Sequence, residues 1–193
     1  MHGNFGALDR KALEEAKLTV TYAEGPSLVA DHGFTTGQIG LTSFEKLLSP
    51  TVMKVGVDHD IGCYADKLPE DERTKTVVPD QFRHEIATAF NLKGRGLVVL
   101  TSCSHRGVVN AIKQAQAASG IGNVHAVIGG FHLGPTFFHD RIGRVVKSLV
   151  ALEPAVIAPA HCTGYRAAYA VYQQRPEAFV QNTVGTRILL SAD

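Results

Sequence analysis

From residue 94 onward the chain alternates between unbroken apolar runs and stretches in which apolar residues recur every three or four positions. Residues 96–101 form a continuous apolar run and predict a buried strand. Residues 107–119 place Val108, Val109, Ile112 and Ala115 on one face and predict a helix. The same alternation predicts a strand over 124–128, a helix over 140–152 with Ile142, Val145, Val146 and Leu149 inward, a strand over 155–158, a helix over 164–174 and a final strand over 184–190. Continuous apolar strands separated by amphipathic helices imply an α/β layer, with a sheet covered by helices.

The first half of the chain has a weaker pattern. Residues 8–17 predict a short helix with Leu8, Ala12, Leu13 and Ala16 on one face, followed by a strand over 18–22. Glu24-Gly25-Pro26 is a turn, and residues 27–30 and 33–39 are two short strands joined at Asp31-His32. Residues 43–49 read as a helical turn. Residues 53–78 read as a loop, and Pro79-Asp80 opens a helix that runs to about residue 90. No internal repeat or low-complexity segment interrupts this order.

Three histidines each follow a strongly apolar run and precede a glycine-containing turn: His105 before Arg106-Gly107, His132 after Gly129-Gly130-Phe131, and His161 before Cys162-Thr163-Gly164. A buried strand that ends in this way carries an imidazole to the rim of a sheet, and three such strands can converge on one metal ion. A ligating histidine must be neutral and oriented through its second nitrogen, which strand ends favour because the backbone there is rigid. Gly129 and Gly130 lack side chains and leave room for a ligand or metal to approach the backbone. His59, between Asp58 and Asp60, reads as part of a solvated loop. His2, His32, His84, His125 and His139 have no partner pattern and read as structural or surface residues. Cys103 and Cys162 flank the histidines and read as small residues packed at strand ends. Thr101, Ser102 and Ser104 lack the Gly-x-Ser-x-Gly elbow of a nucleophilic serine, and Gly94-Arg95-Gly96 precedes a strand, unlike a dinucleotide-binding turn.

Composition narrows the partners. The 193 residues are 45% hydrophobic and 19% charged, with a net charge of +1 at pH 7, which suits a globular domain and gives no basic groove for nucleic acid. No apolar stretch reaches the ~20 residues of a membrane span. Three scattered cysteines without a CxxC pair fit a reducing cytoplasm.

The residues around the three histidines resemble the metallo-β-lactamase superfamily, in its branch of dihydropterin-methyl-aminobenzene-phosphate synthase-like hydrolases. The resemblance is carried by Leu97 to Gly107, by Gly129-Gly130-Phe131-His132-Leu133 and by His161-Cys162-Thr163-Gly164, with Thr35-Thr36-Gly37-Gln38-Ile39 and Phe44-Glu45 in support. It implies a metallo-β-lactamase-like αββα sandwich, with residues 1–93 as a variable part and 94–193 as the C-terminal α/β half. It implies that His105 and His161 are metal ligands and that His132 lies in the active site as a third candidate. The implied cofactor is Zn²⁺ or another divalent transition metal, and the implied chemistry is metal-assisted hydrolysis of a phosphoester in a small-molecule substrate.

The superfamily's His-x-His-x-Asp-His does not occur in these residues. The expectation that follows is a domain lacking its N-terminal ligand strands, with low hydrolase activity and a tendency to form a homo-oligomer through residues 18–39. Two rivals stand beside the hydrolase: a non-catalytic remnant that binds a metal or ligand or serves in assembly, and an enzyme completed by a partner chain.

Overall fold

A computed structural model describes residues 6, 8–47, 51–57 and 64–192. His2, His59 and Cys63 lie outside the described residues. The chain divides into two units: residues 1–22 with 49–84, and residues 23–48 with 85–193.

The second unit contains a six-stranded sheet. Its strands are β1 (Ser27–Val29) and β2 (Gly33–Thr35), then, after β3 (Val52–Lys54) and β4 (Val77–Pro79) of the other unit, β5 (Thr88–Leu92), β6 (Gly96–Thr101), β7 (Val124–Gly130) and β8 (Val156–Ala160), in the order β1-β2-β5-β6-β7-β8. The first four strands in that order pair antiparallel, while β6, β7 and β8 run parallel. Two crossovers join the parallel strands: α2 (Val108–Ser119) between β6 and β7, and α3 (Ile142–Ala151) between β7 and β8. A fourth helix, α4 (Tyr165–Gln174), follows β8.

Apolar pattern and observed core agree in this unit. Val99, Val127 and Ile157 are register partners across β6, β7 and β8, all fully buried. They share one core with Val108, Ile112 and Ala115 of α2 and with Val145, Val146 and Leu149 of α3. Val98, Ala126 and Ala158 are also fully buried but stand outside that core cluster. Strands hidden on both faces explain why these segments read as unbroken apolar runs and show no alternation.

The β1–β2 hairpin forms as expected at Asp31-His32. Ala30 and Asp31 both take left-handed backbone, at φ 49° and 63°, matching the twist a tight hairpin requires. The expected helix over 80–90 does not form. Thr88–Leu92 is instead strand β5, paired residue for residue with β6 from Thr88↔Leu100 to Leu92↔Gly96. Long-range pairing with the most buried strand overrides a local helical spacing. The expected strand over 184–190 is also absent: that segment has no regular partner, and Val184 and Leu189 are fully exposed. Residues 43–47 make a bend in place of a helical turn.

The first unit holds α1 (Arg10–Glu15) and a two-stranded ribbon of β3 (Val52–Lys54) and β4 (Val77–Pro79). Asp9 caps α1 by accepting a hydrogen bond from the Lys11 amide at 2.8 Å. The α1 helix buries no residue, so its apolar positions do not mark a core face. The strand expected over 18–22 does not form, and Leu18, Val20 and Tyr22 are exposed. Segment 53–78, expected as a loop, instead supplies the ribbon, with short 3-10 turns at Ala65–Lys67 and Glu70–Glu72. Pro79 closes β4 and starts no helix, because Asp80 turns the chain by accepting from the Phe82 amide at 2.7 Å.

No helix among the described residues is long and apolar enough to cross a membrane.

Candidate metal centre

Because β6, β7 and β8 are parallel, their C-terminal ends lie at one rim of the sheet, where α/β folds place ligands. The turn after β6 carries Cys103 and His105, the turn after β7 carries His132, and the turn after β8 carries His161 and Cys162. All three sequence-predicted histidines therefore occupy that rim.

The five side chains fall into two neighbouring groups. The rings of His105 and His132 lie 4.0 Å apart, centre to centre. His161 Nε2 lies 3.2 Å from Cys103 Sγ, and the ligating atoms of Cys103, His161 and Cys162 all fall within 4.8 Å of one another. The cysteines, read from sequence as packing residues, sit within reach of the same ion as His161. Electrostatics tie the groups together: burial, then the adjacent His105 and, more weakly, His161, push the His132 imidazole down to about 4. His132 is thus neutral at pH 7, the form that binds metal. Burial also pushes the Cys162 thiol up to about 12.

Backbone geometry makes room for this crowding. Ser104 and His132 take left-handed backbone at φ 61° and 47°, an unfavourable conformation for residues with side chains and one that concentrates at functional sites. A Cβ on Gly130 would lie 2.6 Å from both Cys162 Sγ and His161 Cε1 and 2.5 Å from the Ser102 carbonyl oxygen. Glycine is therefore required there. The Gly130 carbonyl accepts from the Ser104 hydroxyl at 2.7 Å and the Thr101 hydroxyl at 3.1 Å, which gives both hydroxyls a backbone partner.

Glu85, just before β5, is a site residue that sequence reading missed. Its buried carboxylate accepts from the His105 and Arg106 amides, each at 2.7 Å, and so fixes the turn that carries His105. The signal was an acidic residue three positions ahead of a strand, hidden inside the expected helix. Glu45, also buried, accepts from the Val109 and Asn110 amides at 2.8 and 3.1 Å at the start of α2; burial raises its carboxyl pKa. Thr163 accepts from the Phe131 amide at 3.0 Å and joins the turns after β7 and β8.

His32, His84 and His139 belong to neither group of clustered side chains. His32 and His84 are exposed, and His139 Nε2 lies 3.3 Å from the Gly134 carbonyl. His125 is a residue of β7, as its place in an apolar run implied.

The donor set fits a borderline-soft divalent cation. Imidazole nitrogens and thiolate sulfurs are the ligand types Zn²⁺ selects, and His132 Nδ1 is buried with no hydrogen-bond partner among the described residues. The His/Cys cluster can hold a metal.

Comparison with known proteins agrees with this geometry. The chain is 38% identical over 103 residues to a 7,8-dihydropterin-6-methyl-4-(β-D-ribofuranosyl)-aminobenzene-5'-phosphate synthase of Methanocaldococcus jannaschii, covering 53% of this chain and 34% of that protein. It is 31% identical over 70 residues to an uncharacterized protein of the same organism, covering 36% of this chain and 25% of the relative. Among solved structures it superposes with a TM-score of 0.64 and 22% identity on a metal-dependent hydrolase of the β-lactamase superfamily, over 90% of this chain and 58% of that one. The matched stretches thus span about a third or less of the curated relatives. No protein-family model matches the chain.

Proposed function

For a chain that has the metallo-β-lactamase superfamily fold and is related in sequence to the dihydropterin-methyl-aminobenzene-phosphate synthase branch, we propose metal-dependent hydrolysis of a phosphoester-type small molecule. The observation that supports it is the placement of His105, His132 and His161 in the turns at the C-terminal ends of three parallel strands, with the ligating atoms of Cys103, His161 and Cys162 within 4.8 Å of one another.

In this reading His105, His132 and His161 hold the ion, with Cys103 and Cys162 in reach beside His161. A divalent cation, when bound, supplies Lewis acidity and acidifies water. The chain's own residues position and orient. Glu85 holds the His105 turn through two backbone amides. Burial keeps His132 unprotonated, so no proton must leave it before it ligates. Arg166 and His139 line a small hollow of about 200 Å³ next to Gly164, where a guanidinium suits the phosphoryl oxygens of a substrate.

The test begins with metal content. Purified protein supplied with Zn²⁺ is expected to retain close to one ion per chain by elemental analysis, and His161→Ala is expected to retain at least about tenfold less. Turnover of a bis(p-nitrophenyl) phosphodiester is the second readout. These residues hold no His-x-His-x-Asp-His, so the rate expected from this chain alone is low. Metal-loaded protein with no turnover above free Zn²⁺ would leave the ligand-binding alternative in its place.

Self-association is a second part of the proposal. Edge strand β1 exposes Leu28 at 80% and Val29 at 45%, and an exposed apolar edge templates pairing with another chain. A homodimer closed through that edge is expected in light scattering at tens of micromolar protein.

A further inference from the structure

Cys103 and Cys162 meet although a strand lies between the strands that carry them. Cys103 follows β6 and Cys162 follows β8, with β7 in the middle of the three. Neighbouring strands lie about 4.8 Å apart, so two strands across is about 10 Å, beyond the ~7 Å between Cα atoms that a disulfide tolerates. The turns past the strand ends remove that distance. Cys162 Sγ lies 3.3 Å from the Cys103 carbonyl oxygen, and the two sulfurs fall within 4.8 Å of each other and of a His161 ring nitrogen.

Gly130 lets the two turns come together. It ends β7, its amide donates to the Ser102 carbonyl at 2.9 Å, and its register partner on β8 is Ala160. A Cβ at this position would stand 2.6 Å from Cys162 Sγ and push that side chain out of its place. Both cysteines are only partly buried and His161 beside them is exposed, so a small reagent reaches the sulfurs. Bonding requires the sulfurs to close from 4.8 Å or less to about 2 Å, a gap within the reach of side-chain rotation.

We propose that Cys103 and Cys162 form a reversible disulfide that governs the candidate metal centre. The dithiol form leaves His161 two sulfur neighbours for a divalent cation, and the disulfide form takes both away. The oxidant is a low-molecular-weight disulfide. One cysteine sulfur attacks it, forms a mixed disulfide and expels one thiolate. The second cysteine sulfur then attacks the protein sulfur of the mixed bond and expels the other thiolate. Two electrons pass from the protein to the reagent, and the two protons of the cysteine thiols end on the two thiols released. In a reducing compartment such a bond is transient and senses oxidation. The disulfide itself needs no metal; its effect on the ion rests on the metal-dependent reading above.

The experiment incubates the metal-free full chain with oxidised glutathione for hours, since exchange runs from seconds to hours, then alkylates it and maps the peptides by mass spectrometry. Of the three cysteines in the sequence, Cys103 and Cys162 are expected in one linked pair, with Cys63 outside it and dithiothreitol restoring both thiols. Cys103→Ser and Cys162→Ser are each expected to carry glutathione on the remaining partner and to form no internal link. Preloading with Zn²⁺ is expected to slow linkage at least about tenfold, and the linked chain to retain at least about tenfold less Zn²⁺ than the reduced chain by elemental analysis. The proposal is overturned if wild-type protein ends with glutathione on Cys103 or Cys162, with either one joined to Cys63 or to a second chain, or with both thiols free. A linked chain that retains its Zn²⁺ in full overturns the control of the metal. A chain that forms the link and binds no Zn²⁺ in either form supports the disulfide and refutes the metal reading alone. One that binds Zn²⁺ and never forms the link refutes the disulfide alone.

Discussion

The two halves of the six-stranded sheet have been put to different uses. On the antiparallel side β1 and β2 are three residues each, and β1 is exposed along its whole length. On the parallel side β6 begins with four consecutive buried residues, and every strand ends in a turn that carries a candidate ligand. Antiparallel strands point their C-terminal ends in alternating directions and cannot gather three turns at one rim. Parallel strands must, because each crossover returns the chain to the same starting edge. The antiparallel half contributes to the site from outside, through the Glu85 carboxylate placed just ahead of β5.

This contrast gives expectations that rank by size. Leu97→Ala, in a fully buried position of β6, is expected to cost about 2–5 kcal/mol in denaturant unfolding. A cost under about 1 kcal/mol would mean that the parallel half does not hold the fold. Next, Gly130→Ala drives a methyl group against the Ser102 carbonyl oxygen and two candidate ligands. It is expected to cost about 1–3 kcal/mol and to lower Zn²⁺ retention at least about tenfold, read by unfolding and elemental analysis together. Stability lost with metal retention intact would separate Gly130 from the centre.

A third expectation concerns pH. The folded His132 imidazole titrates at about 4, below the ordinary histidine value of ~6.5. A base whose pKa falls on folding stabilises the fold in its neutral form. That contribution is complete above ~6.5 and is lost as pH drops towards 4. Wild-type metal-free protein is therefore expected to lose melting temperature over that window, and His132→Gln, which cannot titrate, to lose less of it. Parallel curves for the two proteins would place the acid sensitivity elsewhere. The smallest effect belongs to the antiparallel edge: Leu28→Lys is expected to change stability by less than about 0.5 kcal/mol, yet to shift light scattering from dimer to monomer.

The same contrast explains what could be read in the amino-acid sequence. Every strand and α-helix from β6 to α4 was legible, since strands buried on both faces and helices with one buried stripe leave their periods in the order of residues; the 3-10 turns at Thr136–Arg141 and His161–Thr163 were not. The three histidines were legible for the same reason, each being the polar end of an apolar run. Strand β5 was not, because Thr88 and Phe90 are half-buried and its partner in β6 is what makes it extended. Misreading that segment as a helix hid Glu85. Cys103 and Cys162 were seen but undervalued: only the parallel register of β6 against β7 and β7 against β8 brings residues 59 positions apart to within reach of one ion. At the other extreme, residues 184–190 form no strand, and Val184 and Leu189 are fully exposed, so pattern alone did not produce structure there.

The turns after β7 and β8 meet at a seam made of backbone. Gly164, at φ 75°, packs so closely on Gly134 that a Cβ would sit 2.6 Å from its Cα, and the Gly134 amide donates to the Cys162 carbonyl at 3.0 Å. That seam sets an order of assembly. It cannot close until the α3 crossover has delivered β8 beside β7, so the seam gains only after that chain closure. Rim amides such as Gly134 should therefore open to hydrogen exchange before those of β6, through partial unfolding that leaves the sheet intact. A metal ion that bridges the turns would act as the latch on this late step, slowing rim exchange far more than exchange in the strands beneath it.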